Sequence, residues 1–285
     1  MKIAIVTDSA CNVTPEIAED QGIYVLPLQV IFEKDIYREG VDLTTQEFYE
    51  KIVESDKIPT TSQPSAADTV NLLKKLVQEY DHILCIHMDA RLSGTFQTTR
   101  AIANEINAEK ITVVDSGLVT IPAREVILEA KRIADEGANV EEIIAHIEDV
   151  RQNTIAFTAL NNLDYLLSGG RIAKLAGALV KKIKIKPVIR VHAEKLNFVG
   201  SARTEKRAVR KLLDESMRYV KDSDFAPKLV IGYGNTPEDA KKLRASVKER
   251  CPEHDIDLIR INSVIGVHTG PEVLGIGVTK DYSKI

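Results

Sequence analysis

At 285 residues, 44 % hydrophobic and 28 % charged, the chain is long enough for two α/β domains or one large one, and its composition argues against a disordered protein. Aromatic residues make up only 5 % and tryptophan is absent, so a ligand cavity is expected to be lined by aliphatic side chains, and a base-stacking nucleic-acid surface is disfavoured. The net charge is a mild −4. Cys11, Cys85 and Cys251 are odd in number, widely spaced and without a Cys-x-x-Cys pair, which argues against a disulfide framework or structural zinc and for a reducing cytoplasm.

Residues 2–6 are a β-branched apolar run and the first expected strand. Asp8 follows too soon for a signal-peptide core, and no apolar run approaches membrane-spanning length, so a soluble protein is expected. Asp8-Ser9 is an acidic-hydroxyl pair that reads first as a turn former and second as a metal or water site. Thr14-Pro15-Glu16 starts a helix. Residues 24–32 are apolar but interrupted by Pro27, which suits an edge strand or an excursion from the sheet. Thr44-Thr45-Gln46-Glu47 is a capping box. Pro59-Thr60-Thr61-Ser62-Gln63-Pro64-Ser65 sets four hydroxyls and an amide among prolines, and reads as a stiff polar loop. The helix expected to open at Ser65 places those hydroxyls near helix-start amides, where an anion can be held, although Ser65 serves equally as a plain cap.

Residues 82–88 are the next strand, and Arg91-Leu92-Ser93-Gly94-Thr95 joins it to a helix carrying Ala101, Ile102 and Ile106. In a parallel sheet that turn lies at the carboxyl edge, where ligands bind. Gly94 permits close approach, and the Ser93 and Thr95 hydroxyls can donate to a small carboxylate or phosphate; the same residues also make an ordinary helix cap. Residues 111–114 form another strand, ending at Asp115-Ser116, and helices start at Ile121-Pro122 and at Val140-Glu141-Glu142. These repeated βα units imply an N-terminal parallel sheet with flanking helices, set at residues 1–155.

The pattern then changes, and residues 156–285 read as a second α/β domain with a mixed sheet. Residues 184–191 and 196–202 suggest an antiparallel hairpin. Helices at 205–220 and 238–250 alternate with strands at 229–234, 257–261 and 273–279. Leu167-Ser168-Gly169-Gly170-Arg171-Ile172 begins a basic stretch: residues 171–211 hold 13 Lys or Arg against Glu194 and Glu205, a local net of +11 that leaves −15 for the remainder. Such a face can steer an acidic or phosphate-bearing partner, or be merely solvated. His268-Thr269-Gly270-Pro271 reads as a turn between the last strands, where a histidine, a hydroxyl and a glycine could close over an anion, or where the histidine simply satisfies a backbone carbonyl. No P-loop, His-Glu-x-x-His, Gly-x-Ser-x-Gly or dinucleotide fingerprint is present, so no ATP site of the chain's own is evident.

Thr7-Asp8-Ser9, Thr61-Ser62-Gln63-Pro64-Ser65, Ser93-Gly94-Thr95, Val114-Asp115-Ser116, Gly169-Gly170-Arg171-Ile172, Lys186-Pro187 and His268-Thr269-Gly270-Pro271, taken in order, resemble the DegV family over essentially the whole chain. The resemblance implies a bacterial fatty-acid carrier of two α/β domains, with the acyl chain buried between or beneath them. It also implies a separate ATP-dependent kinase subunit that phosphorylates the carboxylate to an acyl phosphate for phospholipid synthesis. By position, Thr61 and Ser93 match the hydroxyls that hold the carboxylate and His268 the histidine beside them; Ser62, Gly94, Thr95, Thr269 and Gly270 complete the expected ligand site. Arg171, Arg203 and Lys206 match basic positions near the kinase-docking face. The implied protein is cytoplasmic and non-catalytic, with no cofactor, no metal, no nucleic-acid partner and at most transient membrane contact. Glu272 stands where the family commonly has glycine, and Ala193-Glu194-Lys195 replaces a glycine-containing hairpin turn. The competing reading is a self-sufficient hydrolase or phosphotransferase using Ser93 or Thr61 as nucleophile and His268 as base, with no third orienting residue evident.

Overall fold

The computed structural model describes residues 1–170, 185–193 and 195–284. Strand β1 (Ile3–Asp8) turns sharply after Asp8, whose Oδ1 accepts from the Ala10 amide at 3.1 Å. Helix α1 (Pro15–Gln21) starts on the Thr14 cap with proline in its first turn, where a missing N–H costs nothing. Pro27 then splits the apolar run of residues 24–32. Its first part, β2 (Tyr24–Leu26), pairs with β1 as an edge strand, and its second, β3 (Gln29–Phe32), leaves to form a hairpin with β4 (Asp35–Arg38). Both uses expected of that run therefore occur, one on each side of the proline.

The capping box opens α2 (Thr45–Glu54), with Thr44 and Glu47 each accepting from the other's backbone amide. The polar segment that reads as a loop is in part a short strand: β5 (Thr60–Ser62) pairs antiparallel with β3, so Thr61 lies opposite Val30. The β-branched threonines accept extended backbone, and pairing with β3 supplies the partners that the sequence does not announce. Ser65 caps α3 (Ala66–Glu79), accepting from the Asp68 amide at 3.1 Å. Then follow β6 (His82–His87), α4 (Thr95–Asn107), β7 (Ile111–Asp115), α5 (Thr120–Asp135) and α6 (Val140–Gln152). Strands β2-β1-β6-β7 form an all-parallel sheet, and β4-β3-β5 a small antiparallel one.

From β8 (Thr154–Ala159) the chain enters a six-stranded mixed sheet. Helix α7 (Leu163–Ser168) is followed by the hairpin β9 (Lys186–His192) and β10 (Lys195–Ala202), antiparallel with a bulge between Phe198 and Gly200. Then come α8 (Glu205–Asp222), β11 (Pro227–Tyr233), α9 (Pro237–Arg250), β12 (Ile256–Arg260), α10 (Ser263–Thr269) and β13 (Leu274–Lys280). The order is β10-β9-β8-β13-β11-β12, antiparallel except for β11 with β12. The fold is thus α/β, with a parallel N-terminal sheet flanked by helices and a mixed C-terminal sheet.

The expectation of a turn at His268 is corrected: His268 and Thr269 end helix α10, and the turn begins at Gly270, where φ is +81°. The segment is rich in β-branched residues and glycine, which alone are poor helix formers; packing of its apolar side chains overrides propensity. Val264 and Val267 join Ile5, Phe48, Leu84 and Ala156 in one buried cluster that reaches from the parallel sheet to the six-stranded one. Among the described residues no helix is long and apolar enough to cross a membrane.

Candidate functional site

A cavity of about 1080 Å³, its mouth included, opens where β5, the loop after β6 and α10 face the inner side of the six-stranded sheet. Its wall is mostly aliphatic, from Leu28, Met88, Ile121, Leu166 and Ile189 among others, as the aromatic-poor composition leads one to expect. Along β13, Gly275 and Gly277 line it with bare backbone. A Cβ at Gly277 would lie 2.8 Å from Ile121 Cγ2, so α5 and β13 approach as closely as glycine permits.

Thr61, Ser62, Gln63, Ser93, His268 and Thr269 supply polar groups to this wall. Thr61 Oγ1 and His268 Nε2 are 2.9 Å apart, although the residues are separated by 207 positions in sequence. The small sheet carries the hydroxyl and α10 carries the ring. Gly169, the residue after α7, lies against that ring: a Cβ there would sit 2.2 Å from His268 Nδ1. The glycines flagged at 169–170 therefore include one that gives the histidine its space.

Ser93 sits in a loop held from below. Its amide and that of Leu92 donate to the Asp89 carbonyl, and buried Asp89 pairs with Arg91. Ser93 Oγ is 2.8 Å from Thr95 Oγ1 and accepts from the Thr95 amide at 3.3 Å, which ties the loop to the first turn of α4, whose N-cap, Gly94, has no side chain to do so. Thr98 on α4 donates to Gln63 Oε1 at 3.0 Å, tying this helix to the Thr61 segment. The structure thus brings Thr61, Ser62, Ser93, His268 and Thr269 to one cavity. Gly94 and Thr95 stand one layer behind Ser93, Thr95 being buried. Gly270 packs on Tyr165 outside the cavity, and Thr269 Oγ1 donates to the Ile265 carbonyl at 2.9 Å.

Glu272 is exposed, and its charge together with burial pushes the Tyr165 phenol up, burial being the larger cause. The unexpected acid therefore stands on the outer, Tyr165 side of α10. Asp8 and Asp115 serve turns: Asp8 Oδ2 accepts from the Met88 amide at 2.9 Å and lies 3.0 Å from His87 Nδ1, and Asp115 Oδ1 accepts from the Ala90 and Gly117 amides.

Of the basic positions, Arg203 and Lys206 are exposed at the start of α8 and do not line the cavity. Arg171 lies outside the described residues, as does Glu194 of the hairpin turn. Sequence reasoning missed Gln63, Thr120 and Thr158, which also line the wall, and the buried acid Glu39. The alternating Gly275 and Gly277 were the one local signal of the cavity, since glycine inside a strand marks close approach or open space. Glu39 has no such signal, because Arg38 and Asp42 around it pair in solvent like any polar loop.

The model of the DegV family, described as uncharacterised proteins, matches residues 2–281. A DegV domain-containing protein of Deinococcus radiodurans is 32 % identical over 279 residues, covering 98 % of both chains, and one of Halalkalibacterium halodurans is 30 % identical over 279 residues, covering 96 % of this chain and 97 % of the other. Among solved structures, a stearic-acid-binding protein from Eubacterium ventriosum superposes with a TM-score of 0.91 at 27 % identity, over 99 % of this chain and 100 % of that one. The fatty-acid-binding DegV of Bacillus subtilis does so at 0.89 and 27 %, and a DegV protein of Thermus thermophilus, described by its fatty-acid binding, at 0.87 and 29 %, each over 99 % of this chain and 100 % of theirs. Sequence and fold agree along nearly the whole length, and the chain belongs to the DegV family.

Proposed function

We propose that this protein is a carrier that holds a long-chain fatty acid and presents its carboxylate to a separate ATP-dependent kinase subunit, which converts it to an acyl phosphate for phospholipid synthesis. The observation that carries the reading is an aliphatic cavity into which a hydroxyl–imidazole pair, Thr61 and His268, projects beside Ser93. The solved relatives described as fatty-acid-binding support the ligand class.

Burial of an acyl chain contributes about 0.8 kcal/mol per methylene, whereas a hydrogen bond to a charged group contributes about 1.5–3 kcal/mol. Chain burial therefore sets affinity, and Thr61, Ser93 and His268 set orientation. Hydroxyl donors hold the carboxylate without a full opposing charge, which leaves its oxygens nucleophilic toward a phosphoryl group. The partner supplies nucleotide, metal and most of the transition-state stabilisation. In this reading the chain is non-catalytic and works in the cytoplasm, with Arg171, Arg203 and Lys206 facing the kinase.

One contact favours a second reading. Thr61 within hydrogen-bond reach of His268 is also the geometry of a nucleophile and its base, as a self-sufficient hydrolase or phosphotransferase requires. Mass spectrometry of the protein as purified, native and after organic extraction, separates the two. The carrier reading expects one fatty acid per chain, and with ATP and the cognate kinase an acyl phosphate that hydroxylamine traps as a hydroxamate. Thr61→Ala with Ser93→Ala is expected to cut that yield about tenfold or more while the lipid is still extracted. An empty protein that takes up no fatty acid from a mixed panel sinks the ligand assignment. Turnover by the chain alone, abolished by Thr61→Ala, moves the enzyme reading to the front.

A further inference from the structure

Helix α10 spans only seven residues, too few to hold its own conformation or place, so side chains outside it must fix where His268 stands. Asn262 caps it, accepting from the Ile265 amide at 2.8 Å. Asn262 is held in turn by two N-terminal residues: its amide donates to Asn12 Oδ1 and its Nδ2 to the Ser9 carbonyl, both at 2.9 Å. The third tie comes from Glu39, whose Oε1 accepts from the Val264 amide at 3.0 Å.

Glu39 is only 5 % exposed, and a buried acid is a costly way to hold a helix that an apolar contact could hold as firmly. Its surroundings are polar, with no cation bonded to it among the described residues: the Ser9 and Ser263 hydroxyls face its carboxyl, and the nearby Tyr49 phenol is pushed up first by burial and second by the Glu39 charge. It does not line the acyl cavity; it lies on the wall of a separate cleft with Asn12, Arg260 and Asn262. Its place in the chain supplies the missing reason. It follows directly on β4, and its amide donates to the Leu28 carbonyl, just ahead of β3. Strand β3 pairs with β4 on one side and with β5, which carries Thr61, on the other. The small sheet therefore grips α10 twice, through Glu39 at Val264 and through Thr61 at His268. Those two helix positions are four residues apart, on one face and about 6 Å along the axis.

We propose that Glu39 is the positioning residue of the carboxylate site: by holding the Val264 amide it sets the height and rotation of α10, and with them the point where His268 Nε2 meets Thr61 and the ligand carboxylate. The inference rests on the fatty-acid reading above and adds a specificity device to it. Glu39 touches neither ligand nor cavity; it decides whether the polar end of the cavity recognises an acid.

The test compares delipidated wild type with Glu39→Met, Glu39→Gln, His268→Ala and the Glu39→Met/His268→Ala double variant. Methionine fills the same space without an acceptor, whereas glutamine keeps a carbonyl for the Val264 amide. Palmitic acid and hexadecanol, which share a chain and differ in the carboxylate, are titrated into each, and the ¹⁵N shifts of the His268 ring are recorded without ligand. Glu39→Met is expected to lower the preference for acid over alcohol about tenfold, the worth of one hydrogen bond to a charged group, with hexadecanol affinity unchanged. Glu39→Gln restores most of that preference, the double variant matches His268→Ala, and the ring shifts move in Glu39→Met. Equal losses for acid and alcohol, or an unchanged preference with unmoved ring shifts, overturn the proposal while leaving the carrier reading intact. Wild type that binds neither compound refutes the carrier reading instead, and the ring shifts alone then decide whether Glu39 positions His268.

Discussion

Gly169 and Glu39 show at the residue scale how the polar end of the cavity is tuned by neighbours that do not line it. A methyl group at Gly169 would meet the His268 ring at 2.2 Å, and a rigid imidazole cannot flex away as a lysine tip can. Gly169→Ala is therefore expected to swing the ring off Thr61 and weaken palmitate binding about tenfold, the loss of one charge-assisted hydrogen bond, in a titration of the delipidated protein. Burial pushes the Glu39 carboxyl up to about 7, only partly offset by the Ser9 hydroxyl and the Val264 amide. Its folded pKa thus exceeds its unfolded one, so its contribution to stability is complete below about pH 4.5 and is lost as pH rises through about 7. The loss is on the order of 3 kcal/mol, and Glu39→Gln should abolish it. Urea midpoints of the two proteins from pH 5 to pH 8 check this: wild type is expected to fall relative to the variant as pH rises, and parallel curves would refute the assignment. Neither residue advertises its role in sequence, since one looks like a turn glycine and the other like a solvated acid.

Elements with strong local signals were legible, and those made by pairing were not. Thr44 with Glu47, and Ser65 ahead of α3, state their helix starts outright, because a cap is a contact between residues three apart. Strand β5 is different: only its pairing with β3 makes residues 60–62 extended, and β3 lies 30 residues earlier in the chain. Helix α10 is a second case, hidden by β-branched residues and glycine and formed by packing against β3 and α2. Strand β13 borders the cavity directly. Its alternation of Gly275 and Gly277 leaves bare backbone on the face opposite the Ile276 side chain, and Ile121 packs directly on it at Gly277. Gly277→Val puts three carbons where even a Cβ would lie 2.8 Å from Ile121, which overpacks the wall at a cost of about 1–3 kcal/mol. Lipid extracted from that variant is expected to be shorter than lipid from wild type, as mass spectrometry will show. An unchanged chain length would mean that the acyl chain does not pass along β13.

The parallel sheet, the six-stranded sheet and the small β4-β3-β5 sheet meet at the cavity, and no single one contains it. A continuous buried cluster from Ile5 through Phe48 to Ala156 and Val267 makes their relative placement part of the core rather than of a linker. Charge is distributed on the same scale. The excess of base in residues 171–211 is a property of sequence, and Arg203, Lys206, Arg207 and Arg210 stand exposed on and before α8. Arg210 and Lys211 face acids one turn along, at 3.8 and 3.5 Å, so those two charges are partly screened within their own helix. The α/β class, the parallel first sheet, the mixed second one, the aliphatic character of the cavity wall and the family can all be read from the order of residues alone, because apolar periodicity, composition and ordered short motifs are local properties of the chain. It takes the folded chain to show that Thr61 touches His268 across 207 positions, that His268 rides on a helix, that Gly169 yields space to its ring and that Glu39 braces that helix. Those contacts join residues far apart in the chain, and a distance between two side chains is set by the packing of whole sheets, which no local pattern encodes.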